Sequence, residues 1–470
     1  MWRLPKRTFS IIFSHNQCLD KSFCQYSWTV WFGYVFLAAL ICSFFLFNKD
    51  VWNRIKNGKG SINSESFETE EFLSDTDTTN ELLISHSPFH KKSPQSYQLP
   101  GFIKITFFFY QTASIIRVVA SAKTYYHMPT IVSFFFTFFN IKLDFNTIFI
   151  KVCPLCTNSM VIMDALKSSL SLACLIMLTL AIIVCGLLKC LLKRKCESFL
   201  RRLKGAYVNV LLLSYSNISV FCLRNIHCVE IAGESYLHVQ ASIKCYTDWQ
   251  YLIMAVIALW VVPFPLVLYT GCRTLRSYRI SPNEFLMILT IPPLSLFFLV
   301  IRPLAFTQYH FVFDQATLEE KDQILGVLNG PFKLNFKNQE SHLVWEPVLI
   351  LRRLLLIVTT TFISSPIIKL YPVGLLFFSF AVHDFVQNPF DNQKLNFIQN
   401  VSMALLCLLT LFNTFWAVTN SVDLLQDRID HILGEILLAC EAFILCFPIV
   451  CMVIYLIYKF ILIFCFRNKK

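Results

Sequence analysis

The chain has 470 residues, of which 56% are hydrophobic and only 15% charged, with 47 Phe and a formal net charge of +12. A soluble domain carries about 25% charged residues, so this apolar content exceeds what a water-soluble core can bury, and runs of about 20 apolar residues mark helices that cross a membrane. The basic residues cluster at the ends of those runs, a topological pattern in which Lys and Arg stay in cytoplasmic loops, so the charge gives no reason to expect a nucleic-acid partner. Many of the 18 Cys lie inside apolar runs, where a free thiol behaves as a small hydrophobe.

Residues 1–27 hold Arg3, Lys6 and Arg7 but no compact apolar core with a small-residue cleavage site. No cleavable signal peptide is expected there, and residues 28–48, the first transmembrane helix, are expected to act as a signal anchor. Residues 49–100 form a linker whose stretch SESFETEEFLSDTDTTNE is acidic and rich in Ser and Thr. That composition predicts disorder; the linker offers phosphorylation sites and a surface for a cytosolic partner. Residues 101–466 are expected to form the multi-pass transmembrane domain, and 467–470 a basic cytoplasmic tail. At its start, 101–122 carries Lys104, Gln111 and Arg117, and 129–150 carries Asn140, Lys142 and Asp144. One of these two is expected to span and the other to lie at the interface. Clearer spans are 169–192, 206–223, 250–271, 348–363, 367–386, 398–418 and 432–464. No internal repeat of fixed period supports an inverted-repeat transporter.

Charge sets the orientation. KRKCESFLRRLKG at 193–205 is the strongest inside marker, followed by RTLRSYR at 273–279 and RNKK at the C-terminus. The connection between the first two then lies outside. It contains Cys228 and Cys245, which can pair in an oxidising compartment.

Segment 284–305 is apolar and of spanning length, but Pro292 and Pro293 stand at its centre. Each removes a backbone donor, and in lipid the freed carbonyls need partners in protein or trapped water. If the segment is re-entrant or proline-broken, residues 306–346 return to the inside. Arg352 and Arg353 then mark the cytoplasmic entry of the next helix, with guanidinium groups that snorkel to phosphates. The fold expected is an all-α polytopic transmembrane helix bundle, about nine spans plus that segment, with the N-terminus outside and the C-terminus inside. On this topology His383 and Asp384 are also charges near the cytoplasmic membrane interface, where water reaches them.

CVEIAGESYLHVQASIKCYTDWQ at 228–250, WVVPFPLVLYTG at 260–271 and the pair NGPFKLNF and WEPVLILRRLLL within 329–356 make a pattern, with GFIKITFFFYQ at 101–111 and CPLC at 153–156 upstream in the same order. It resembles the multi-pass C-terminal region of large invertebrate membrane proteins whose outer parts carry EGF-like or ephrin-receptor-like cysteine-rich repeats. That region is distantly similar to the nine-helix TRP-like membrane domain of fungi. The resemblance implies a channel-like or receptor-like membrane module. The chain departs from the pattern in lacking the cysteine-rich part, with only Cys18 and Cys24 before the first helix, and in carrying Lys333 after GPF and His383–Asp384 where a histidine pair is expected.

The single CxxC of Cys153 and Cys156 has no second pair for zinc and no βαβ context for a redox fold, so it reads as a local structural or disulfide pair. His227 and His238 beside Cys228 and Cys245 fit no standard zinc spacing. The sequons at Asn217 and Asn400 fall in or beside spans and are not expected to carry glycan. Neither GxSxG, HExxH nor a Walker loop is present. The expected function is therefore a channel-like or transport-related membrane protein, with a receptor or adhesion-type signalling protein as the alternative. Enzymatic activity, catalytic residues, cofactors and metals are not expected. The expected surroundings are the lipid bilayer of the plasma membrane, with a homo-oligomer compatible with the bundle.

Overall fold

The computed structural model describes residues 34–46, 98–117, 139, 160–192, 197–291, 295, 315–333, 345–363 and 365–422, with parts of 435–457. Helices α1 (Tyr34–Leu46), α2 (Gln98–Arg117), α3 (Met160–Leu192) and α4 (Glu197–Arg224) lead to a small sheet of β1 (Cys228–Ile231), β2 (Glu234–Leu237) and β3 (Gln240–Lys244). Helices α5 (Asp248–Val256), α6 (Phe264–Arg276), α7 (Pro282–Thr290) and α8 (Gln315–Asn329) follow. Then come α9 (Trp345–Phe362), α10 (Pro366–Gln387), α11 (Gln393–Val422) and α12 (Ala439–Pro448). Among the described residues five stretches are long and apolar enough to cross a membrane: Asp164–Leu188, Phe199–Arg224, Asp248–Arg276, Ile368–Gln387 and Gln393–Phe415. The protein is thus mainly helical, with several helices suited to a bilayer.

The expected span 348–363 falls in α9, whose 18 residues hold Glu346, Arg352 and Arg353. The expected spans 101–122 and 250–271 fall in α2 and in the continuous stretch of α5 and α6. Of 129–150 only Phe139 is described; its ring stacks on Tyr110 at 4.7 Å and meets Phe107 edge-on at 4.9 Å. The CxxC of Cys153 and Cys156 lies outside the described residues, as do Pro292 and Pro293 and most of 432–464.

Prolines explain much of the local geometry. A π-helical turn at Ile257–Val261 joins α5 to α6 immediately before Pro263, with Val262 N–H bonded to the Ile257 carbonyl at 2.9 Å. Pro265 has no N–H for the Val261 carbonyl one turn earlier. Tyr215 of α4 supplies the missing donor, its hydroxyl reaching Val261 O at 2.8 Å. Similarly, α7 ends at Thr290 with Ile291 extended, and Trp260 Nε1 donates to the Leu289 carbonyl in its last turn at 3.0 Å. Both partners belong to one aromatic stack, Tyr215 on Phe264 at 4.9 Å and Trp260 against Phe264 at 5.1 Å. In hydrocarbon an unmet carbonyl costs several kcal/mol, so neutral donors from neighbouring helices stabilise the broken backbone.

Helix α7 opens with a capping box. Ser281 Oγ accepts from Glu284 N at 3.2 Å, Glu284 Oε2 accepts from Ser281 N at 2.7 Å, and Pro282 fills the first helical position. Its start therefore follows directly on the basic run ending at Arg279.

The all-α expectation misses the sheet. β1 and β2 pair antiparallel from Cys228 opposite Leu237 to Ile231 opposite Glu234. Ala232 and Gly233 turn between them with φ of 55° and 85°, the left-handed pair that a two-residue hairpin requires. β3 pairs with β2, with a register shift between Tyr236 and Leu237. Cys228 and Cys245 are joined by a disulfide that closes the sheet at its base. Strands of four or five residues are too short for periodicity to separate them from loop.

Side-chain contacts define two ends of the bundle. At the sheet end, Asp164 of α3 faces Arg224 at 3.9 Å, Val161 N reaches Gln240, and Phe362 of α9 meets His227. At the basic end, α8 lies across the starts of α4 and α7 and the finish of α6. Lys204 bonds Asn283 Oδ1 at 2.6 Å and also Glu320, Arg201 pairs with Glu319, and Lys321 donates to the Arg276 carbonyl at 3.2 Å. The start of α2 joins the same end, where Lys104 bonds Glu346 and the Val327 carbonyl. Gly101 is closely packed there, since a Cβ would lie 2.6 Å from Leu395 Cδ1 and 3.0 Å from Pro331 Cβ.

Two apolar clusters fill the interior. The first joins α1, α3, α4 and α5–α8; the second joins α2, α10, α11 and α12. Helix α9 serves both, giving Ile350, Leu354 and Ile357 to the first and Leu349 and Leu356 to the second.

Candidate functional site

Arg352 and Arg353 sit seven and eight residues into α9, about 10–12 Å along it at 1.5 Å per residue. They do not snorkel. Arg352 is 3% exposed and Arg353 5%, and both find partners inside the protein. Successive helical residues point about 100° apart, so the two guanidinium groups enter different compartments.

Arg352 turns toward α10 and α11. Its Nη1 lies 2.7 Å from Asp384 Oδ1, and its Nη2 2.7 Å from His383 Nδ1. Asp384 is fully buried, and its Oδ2 accepts a bond from Gln399 Nε2 at 2.8 Å. The guanidinium also lies over two rings, Trp345 at 5.2 Å and Phe380 at 5.0 Å, and Trp345 stacks on His383 at 5.4 Å. Asp384 is thus not the hydrated interface charge expected from sequence. Its carboxylate is held dry by a cation and an amide, because a buried carboxylate persists only when paired. His383 alone keeps an open side, with its side chain 44% exposed beside a groove lined by Phe378, Val382 and Val386 of the same helix.

Arg353 turns toward α2 and α4. Its Nη1 donates to the Leu212 carbonyl at 3.4 Å, and the guanidinium lies 5.3 Å from the centre of the Phe108 ring. No carboxylate oxygen among the described residues is within ion-pair distance of it. Glu346 acts on it from further off and is already bound to Lys104. Nearby polar side chains continue inward: Gln111 Nε2 donates to the Leu213 carbonyl at 3.1 Å, and Ser216 Oγ donates to Gln111 Oε1 at 3.5 Å.

The structure therefore brings Arg352, His383 and Asp384 into one cluster and sends Arg353 elsewhere. Sequence reasoning missed Gln399, Glu346 and Trp345, and treated Lys104 only as a flaw in a span. The available signal was the same for all four, a polar or amphipathic side chain within or at the edge of an apolar run. Their partners were not legible, because each contact joins different helices. Asn217 of the first sequon is buried and bonds Ser171 Oγ at 3.1 Å.

Two features lie outside the apolar stretches. Lys321 of α8 is 3.0 Å from the centre of the Tyr278 ring, and burial pushes its ammonium down to about 8. At the sheet end the rings of His227 and His238 lie 4.6 Å apart. The described residues hold no group of three or more His, Cys, Asp or Glu suited to a metal ion.

No family model, curated protein or solved structure matches this chain.

Proposed function

We propose that this chain is a channel-like, transport-related membrane protein whose working site is the buried charge cluster of α9, α10 and α11. The observation that carries the reading is the ion pair of Arg352 and Asp384, closed by Gln399 and opening outward only at His383. Ionised groups inside a membrane bundle are expensive, and where they persist they mark ion or substrate pathways and relays. Pure scaffolding is a weaker explanation, since apolar residues of similar volume stabilise a bundle as well as or better than a buried pair.

The topology that goes with this reading has nine crossings and the basic end in the cytoplasm. The crossings contain α1, α2, α3, α4, the α5–α6 stretch, α9, α10, α11 and α12. Segment 284–305 enters and leaves on one face. Its capped start follows Arg279, and α8 after it is bonded to Arg201, Lys204 and the Arg276 carbonyl at that same end. Plasma-membrane residence and kinship with the TRP-like nine-helix domain belong to the same proposal. A glycosylation acceptor inserted at 334–344 should remain unmodified in the inserted protein; its modification would place that loop outside and remove the half-spanning segment.

The function is tested by reconstitution. Purified full-length protein in liposomes should release trapped potassium or chloride faster than protein-free liposomes do, and Asp384→Asn should abolish the difference. Release equal to that of empty liposomes for both ions would reject the reading. The alternative, a receptor-type signalling protein, draws on the disulfide-closed sheet, a compact outer element that a ligand could engage.

A further inference from the structure

We propose that the junction between the sheet and the helix ends is a proton-operated latch, in which protonation of His227 and His238 releases the sheet from α9 and α10. His227 precedes β1, is buried, and packs edge-on against Phe362 of α9 with ring centres 5.6 Å apart. His238 lies in the turn between β2 and β3, more open to solvent, and its N–H bonds the His227 carbonyl at 2.9 Å. The rings face each other at 4.6 Å, tilted by 36°. That is contact distance for two neutral imidazoles and a repulsive one for two imidazolium ions.

The remaining charged groups around the pair make the repulsion worse. Lys369 of α10 acts on both histidines and Arg224 at the end of α4 acts on His238. The acid on this side is Asp164 of α3, which lies 3.9 Å from Arg224. From α9 the contact is Phe362, which is uncharged. Four groups that are or can become cations therefore act on one another near one carboxylate. The latch is fastened when both rings are neutral.

The physical shifts agree with the geometry. Burial holds His227 below the usual histidine value, reinforced by His238 and Lys369; burial holds His238 below it as well, reinforced by Lys369 and Arg224. Histidines depressed in the docked state contribute their full stability above the undocked value of about 6.5, and that contribution falls as pH drops through and below it. If both rings take up protons on release, the undocked population rises by up to about a hundredfold per pH unit. The disulfide between Cys228 and Cys245 keeps the base of the sheet closed, so release frees the short strands to fray while their base stays tied. The latch stands independently of the transport proposal, because it concerns the opposite end of the bundle.

Hydrogen–deuterium exchange on the full-length protein in lipid nanodiscs tests it, with rates corrected for intrinsic chemical exchange. Protection of 227–244 should fall by at least tenfold between pH 7.5 and 5.5, while that of α4 stays constant. The double variant His227→Gln, His238→Gln should show no such fall. Lys369→Met, which removes one cation from an apolar helix, should reduce it and serves if the double variant does not fold. Equal protection at both pH values in the wild type, or an undiminished fall in Lys369→Met, would overturn the proposal.

Discussion

The two apolar clusters solve one problem in opposite ways. In the first, interior polar demands are met by neutral donors: Tyr215 serves Val261, Trp260 serves Leu289, and Asn217 serves Ser171. Its ion pairs lie toward the ends, at Lys204 with Glu320 and Arg224 with Asp164. In the second, an ion pair stands inside, Arg352 with Asp384, with Arg353 between the clusters, while Lys104 with Glu346 lies at the basic end. Neutral hydrogen bonds repair a broken backbone at little cost. Buried ions carry a desolvation penalty of several kcal/mol each, which is why the proposed function rests on the second arrangement.

This contrast can be broken or sharpened by substitution. The largest effect is expected at Asp384→Ala, which strands the Arg352 guanidinium in a dry site. Orphaning one member of a buried pair costs about 3–5 kcal/mol, visible as a large fall in the thermal midpoint of the purified protein. A comparable result from a surface ion pair would erase the distinction. Glu346→Gln should cost less, about 1.5–3 kcal/mol for a bond to a charged group, because Lys104 keeps the Val327 carbonyl and lies over the Phe332 ring. Tyr215→Phe should cost about 1–3 kcal/mol, since it leaves the Val261 carbonyl unmet while keeping the aromatic stack. Lys244→Ala, which removes the exposed pair with Glu234 on the sheet, should leave the midpoint unchanged, as solvated pairs contribute little.

Sequence made the apolar helices legible because their signal is local. The runs that became α3, α4, α5–α6, α10 and α11 need no partner to be recognised. The position of Cys228 and Cys245 on either side of one polar connection was equally readable. The burial of Arg352 and Arg353 was not. Their place two turns into α9 is a sequence fact, but the pairing with Asp384 bridges 32 positions and depends on how α10 packs. Snorkelling was the natural expectation for a guanidinium without a known partner; a carboxylate at 2.7 Å prevails over a distant phosphate. The role of Tyr215 was hidden for the same reason. Pro265 announces a missing donor, yet nothing in the neighbouring sequence tells which side chain replaces it. The docking of α8 could have been anticipated from its EEK triplet opposite the basic run of α4, an electrostatic match that single-helix reading overlooks.

The central claim, that Arg352 and Asp384 are kept for function and not for stability, is tested most directly by replacing both together, Arg352→Met with Asp384→Leu, and measuring thermal midpoint and ion release on the same preparation. The account predicts a midpoint well above that of Asp384→Ala, because a buried pair gives way to apolar packing and only the Gln399 amide loses its partner, together with loss of release. A double variant that releases ions as the wild type does, or one whose midpoint falls as far as that of Asp384→Ala, would contradict it.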